Sequence, residues 1–129
     1  MSISTFVLIV LTSCSDLGTT CTTEYVSYYL YVKGDTLTDY FTIRLSTNDT
    51  IREQYDDYYP EDVEGRRGYI VLTDGHRSIL EDKKEAFLFI GKIDNEKVIE
   101  EYYIFGAGEC HVYKESGKDK IDLESSEIQ

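Results

Sequence analysis

Positive charge is scarce in this sequence. Thirteen lysines and arginines face 25 aspartates and glutamates over 129 residues, a formal net charge of −12. Nucleic-acid binding draws most of its affinity from Lys and Arg on phosphates, so that class of partner is excluded first. The same imbalance opposes adsorption to anionic lipid headgroups, while it suits solubility and a basic protein partner. Tryptophan is absent, proline occurs once and histidine twice. The apolar run from Ile3 to Leu11 is too short to cross a bilayer as a helix. Motifs of the common chemistries are missing too. There is no Gly-x-Ser-x-Gly elbow, and Gly106-Ala107-Gly108 precedes a strand, with His111 where a dinucleotide fingerprint needs glycine. Ser116-Gly117-Lys118 lacks the glycine-rich lead of a phosphate loop. The expectation is a protein with no catalytic residues, no cofactor and no resident metal.

What is present points to β structure. Apolar residues make up 41% of the chain, enough for a folded core, and twelve tyrosines favour pleated, half-buried surfaces. Period-two alternation recurs. "EYVSYYLYVK" puts Val26, Tyr28, Leu30 and Val32 on one face, and "DYFTIRLS" sets Phe41, Ile43 and Leu45 against Tyr40, Thr42, Arg44 and Ser46. Gly34-Asp35-Thr36 between them is turn chemistry. A short strand is expected near Thr50 to Gln54, another in "GYIVLTD", and a central strand buried on both faces in "AFLFIGKI". Asp94-Asn95-Glu96 should turn that strand into "KVIEEYYIF", a hairpin, with "ECHVYK" and "KIDLE" to follow. "HRSILEDKKE" breaks the alternation and has capping-box spacing from Ser78 to Glu81, which predicts a short helical turn. Seven or eight short strands in one domain, without repeats, predict an all-β, Ig-like or transthyretin-like antiparallel sandwich.

The N-terminal segment carries a different message. Leu11-Thr12-Ser13-Cys14, directly after the apolar run, resembles a bacterial lipobox, which implies cleavage before Cys14 and diacylglycerol on its sulfur. The basic leader of a secretory signal is not seen before it, so a start further upstream, or a chain cut here, is expected. The alternative is a buried N-terminal strand with an ordinary cysteine. With Cys14 given to lipid, Cys21 and Cys110 remain, an even pair in an exported context, and a disulfide between them is expected over two free thiols. The chain then divides into a signal-peptide remnant (1–13), a lipidated tether (14–20), a β-sandwich domain (21–124) and a flexible tail (125–129).

The string "FLFIGKIDNEKVIEEYYIFGAGECHVYKESGKDKIDL", with "GYIVLTDG" before it, resembles a group of small Bacteroidota-type envelope lipoproteins over roughly residues 21 to 123. Their folds are similar to transthyretin-like or carboxypeptidase-regulatory-like sandwiches, and their molecular function is mostly unassigned. The resemblance implies an outer-membrane lipoprotein facing the periplasm or the exterior. The Glu109-Cys110-His111-Val112 motif often carries two adjacent cysteines in that group; here glutamate takes the first place.

Three candidate sites stand out. Cys110-His111 invites a nucleophile reading, but adjacent side chains on a strand point to opposite faces, which favours a disulfide cysteine beside an exposed histidine. The loop "YDDYYPEDVEGRR" offers Asp56, Asp57, Glu61, Asp62 and Glu64 as hard oxygen ligands for calcium, yet its spacing matches no cation loop, and a solvated acidic loop is the expectation. Tyr29, Tyr31, Tyr55, Tyr58 and Tyr59 form a possible ligand surface for a protein or glycan, set against ordinary cross-strand stacking. Together these features predict a lipid-anchored binding or accessory module of the cell envelope. An acidic inhibitor of a basic secreted enzyme such as a lysozyme, and a glycan-binding module, are the alternatives.

Overall fold

The computed structural model describes residue 21, residues 24–52 and residues 59–123. Among these described residues eight strands run in chain order: β1 (Ser27–Lys33), β2 (Asp39–Arg44), β3 (Asp49–Ile51), β4 (Arg67–Thr73), β5 (Lys84–Ile93), β6 (Glu96–Ala107), β7 (Val112–Ser116) and β8 (Lys120–Asp122). They form two sheets, a three-stranded one in the order β4-β1-β8 and a five-stranded one in the order β3-β2-β5-β6-β7. Every pairing between these strands is antiparallel except β1 with β8, which is parallel. The predicted all-β sandwich is what the chain adopts.

The core lies between the sheets. Leu30 and Val32 of β1 meet Phe87 and Phe89 of β5 and Tyr103 and Phe105 of β6 there, all buried. In β1 the inward face is the one the alternation predicts. β5 is the central strand of its sheet, and Phe87 to Gly91 are buried without interruption, as its apolar run requires. The β5–β6 hairpin turns on Asp94 and Asn95, both at positive φ (51° and 71°), the backbone state that a two-residue turn between right-twisted strands needs.

In β2 the alternation holds, and the more polar of its two faces is the inner one. Its inward residues are Tyr40 and Thr42, while Phe41, Ile43 and Leu45 lie on the outer face of the five-stranded sheet. Two interactions select this orientation. The Tyr40 ring packs edge-on against Tyr69 with centroids 5.1 Å apart, and the Thr42 hydroxyl donates to the Val71 carbonyl at 2.7 Å, a satisfied polar group in a dry place. The helical turn sits earlier than predicted. It is a 3-10 segment over Asp74–Leu80, capped by Thr73, whose hydroxyl accepts from the Gly75 N–H; Lys84 already begins β5. Ser78 is therefore inside the turn and not its cap.

One turn is locked to the core. Tyr103 stacks on Phe105 and donates its hydroxyl to the Lys118 carbonyl at 2.7 Å, so the segment after β7 closes over its ring. Gly117 sits there at φ +132°, and a Cβ at that position would run into the Tyr103 ring. We expect Gly117→Ala to lower stability by about 2 kcal/mol, measured as a reduced urea midpoint at unchanged m-value.

Candidate binding surface

The outer face of the five-stranded sheet is apolar where an outer face is usually polar. Register places Ile43, Leu88 and Tyr102 in one row across β2, β5 and β6, and Phe41, Ile90 and Glu100 in the next. Ala86 and Ile104 form a third, with the Leu45 N–H donating to the Ala86 carbonyl. Leu88 and Ile90 are shielded by their neighbours on either side, but Tyr102 is 62% exposed, and Leu45, Val98, Ile104 and Tyr113 are exposed too. Large apolar side chains gathered on one face mark an interaction surface more strongly than the same residues scattered singly.

The charges on this face are arranged around the apolar rows and paired within the chain. Arg52 bonds Asp39 at 2.6 Å, Lys97 bonds Glu100 at 3.2 Å and Lys84 approaches Glu115 at 3.4 Å. The Arg52 guanidinium lies over the Phe41 ring at 4.7 Å, and the Lys92 ammonium lies 5.7 Å from it. Four cations thus accompany three anions here, so the chain's surplus of negative charge lies elsewhere.

At one end of the sandwich, Asp74 joins three segments. Its carboxylate accepts from the Val26 N–H at 2.9 Å and the Val112 N–H at 2.8 Å, and bonds Nδ1 of His111 at 2.6 Å. Burial opposes its ionisation, but the N–H groups of Val112 and Val26, with His111, outweigh that and hold it below the ordinary aspartate range. Beside this cluster Cys21 and Cys110 form the expected disulfide, with Cα atoms 5.4 Å apart. Cys110 and His111 lie just before β7 and not within a strand, and His111 is half-buried against Asp74 rather than exposed. The disulfide occupies the Cys110 sulfur, so the cysteine–histidine pair offers no thiolate nucleophile in the bridged chain.

The tyrosines singled out from sequence do not share one surface. Tyr29 and Tyr31 pair at 5.9 Å on the outer face of the three-stranded sheet, where the absence of a side chain on Gly68 makes room for the Tyr31 ring. Tyr59 packs against Tyr69 and Tyr40 at the margin of the core, with the Arg67 guanidinium over its ring at 4.0 Å. Tyr55, Tyr58 and Cys14 lie outside the described residues, as do Asp56 and Asp57. Of the loop's remaining acids, Asp62 accepts from the N–H groups of Glu64 and Arg66, and both Asp62 and Glu64 pair with the Arg66 side chain. Among the described residues no cluster of three or more His, Cys, Asp or Glu side chains is placed to hold a metal ion. Tyr102, Ile104 and Tyr113 were missed from sequence. In "KVIEEYYIF" both faces carry apolar residues, so alternation alone did not say which face was free.

Among the described residues no helix is long and apolar enough to cross a membrane. Compared with protein families, with curated proteins and with solved structures, the chain finds no match.

Proposed function

We propose that the chain is a lipid-anchored binding or accessory module of the cell envelope, an outer-membrane lipoprotein that works through surface recognition and not through catalysis. The observation that carries this reading is the Cys21–Cys110 bridge. A structural disulfide fits an oxidising compartment, and this one consumes two of three cysteines, leaving Cys14 behind its lipobox-like sequence as the lipid acceptor. Cys21 follows Cys14 by seven positions, a tether that reaches at most about 25 Å. The apolar outer face of the five-stranded sheet supplies a surface for recognition. The alternative of an acidic inhibitor of a basic secreted enzyme draws on the surplus negative charge away from that face, and predicts inhibition that high salt abolishes.

Intact-mass measurement tests the anchor. The protein is expressed with an upstream signal region in a bacterial host that processes lipoproteins, extracted from membranes, and alkylated with and without reduction. The expected mass lacks everything before Cys14, carries diacylglycerol, and gains two alkyl groups only after reduction. An unprocessed chain with Cys14 open to alkylation would overturn the proposal.

A further inference from the structure

We infer that the outer face of the five-stranded sheet is where two copies of this chain meet, related by a two-fold axis that runs along β5. The inference goes beyond the anchor reading, and the association it describes takes place in solution as well as on a membrane. Its basis is the order of side chains across the sheet. β5 is central, with β2 on one side and β6 on the other. Rotation about β5 therefore lays β6 of one copy over β2 of the other.

On either side of β5 that operation matches unlike charge to unlike charge, while Lys92 and Lys84, which lie on the axis, face their own copies. One row reads Asp39, Lys92, Lys97 across β2, β5 and β6, so Lys97 comes over Asp39 of the second copy. The next reads Phe41, Ile90, Glu100, with Arg52 seated on the Phe41 ring, so Glu100 comes over Arg52. Between and beyond these contacts Tyr102 comes over Ile43 and Ile104 over Leu45, apolar against apolar. A contact whose two halves are the same patch must be self-complementary, and here the flanking pairs outnumber the like charges on the axis. The charge balance of the face also permits it, because elsewhere two chains of net charge −12 repel. A basic partner fits less well, since Arg52, Lys92 and Lys97 would meet it first.

Five strands about 4.8 Å apart and some 25 Å of strand length give a footprint of roughly 600 Å² per copy. Stable dimers commonly bury about 800 Å² per partner, so this one forms weakly, with Kd on the order of 10 µM. A two-fold axis along the strands also sets both Cys21–Cys110 bridges at the same end of the dimer. With Cys14 lipidated as proposed, both tethers then start from that one end.

Sedimentation equilibrium of the full chain tests the inference, with circular dichroism confirming that each variant is folded. The wild type is expected to shift from monomer to dimer between about 1 µM and 100 µM, as that Kd requires. Tyr102→Glu should leave only monomer, and Ile104→Arg serves as a second disruptive variant should the first fail to fold. Arg52→Glu and Glu100→Arg should each weaken dimerisation about tenfold, and the double variant should recover to within about threefold of wild type. Recovery has to come from across the interface, because within each chain Asp39 and Lys97 stay mispaired in the double variant. A chain that is monomeric up to about 1 mM, an association untouched by Tyr102→Glu, or a double variant weaker than either single one would each overturn the dimer. None of these outcomes alters the mass at Cys14, which decides the anchor separately.

Discussion

Cys21→Ser or Cys110→Ser should lower the stability of this chain by about 4 kcal/mol, which corresponds to a fall in Tm of roughly 15 °C. The bridge joins residues 89 positions apart, so it closes most of the chain into one loop. In the unfolded state that closure removes conformations that the open chain would otherwise regain, and its effect grows with the logarithm of the loop length. The position of the bridge adds a second contribution. It ties residue 21 to the segment that carries His111 and leads into β7, so its loss also frees the entry to the last strand of the five-stranded sheet. Thermal melts of wild type with and without reductant, beside the two variants, check the result. Reductant should bring the wild type down to the variants and leave the variants unmoved. Equal melting temperatures for oxidised and reduced wild type would rule the effect out.

Asp74→Ala should cost about 3 kcal/mol. The carboxylate is largely buried and holds the backbone N–H groups of Val26 and Val112, one ahead of β1 and one opening β7. Truncation leaves both donors without their acceptor, and charge-assisted bonds of this kind each contribute about 1.5–3 kcal/mol. Asp74→Asn should cost less, because an amide oxygen can still accept from one of the two. The pH dependence has a definite sign. The native carboxyl titrates below the value of about 3.9 for an unfolded aspartate, so its contribution is complete above that pH and disappears as pH falls through the native value. Glu85 acts in the same direction. The bidentate Arg44 guanidinium, with help from Ser46 and Lys83 and against the cost of burial, lowers its pKa from 4.5 to about 2. Stability should therefore fall steeply between about pH 4.5 and 2, and Asp74→Asn or Glu85→Gln should each flatten that fall in urea titrations. An acid limb of unchanged slope in both variants would refute the assignment.

Much of this architecture was legible in the residues before the fold was known, and the exceptions share a cause. β1 was read correctly because only one of its faces carries aliphatic side chains. β5 was read correctly because a strand with two apolar faces belongs in the middle of a sheet. In β2 the alternation separates two faces without telling which is inner, because its inward residues are a tyrosine and a threonine, whose places depend on Tyr69 and Val71 of the facing sheet. The cysteine pairing followed from counting on the expectation that Cys14 takes a lipid, which leaves Cys21 and Cys110 as the pair. Asp74 gave no local sign of its role, because the groups it holds stand 48 and 38 positions away. The exposed tyrosine at position 102 was hidden among twelve, and sequence drew attention instead to tyrosines near the acidic loop. Long-range partners and the choice of inner face are properties of the packed sandwich, and short-range alternation does not encode them.

The parallel pairing of β8 with β1 has a consequence for how the chain acquires its shape. β1 is made early during synthesis, and its two neighbours are β4 and β8, the latter ending at Asp122. Before β8 arrives, one edge of β1 stands bare and the three-stranded sheet is incomplete. The tightly turned β5–β6 hairpin can form from neighbouring residues alone, whereas the β1–β8 contact must wait for loop closure over nearly the whole domain. A nascent chain would thus keep that edge of β1 open until β8 emerged, and one halted before Lys120 would be stranded with an unpaired edge.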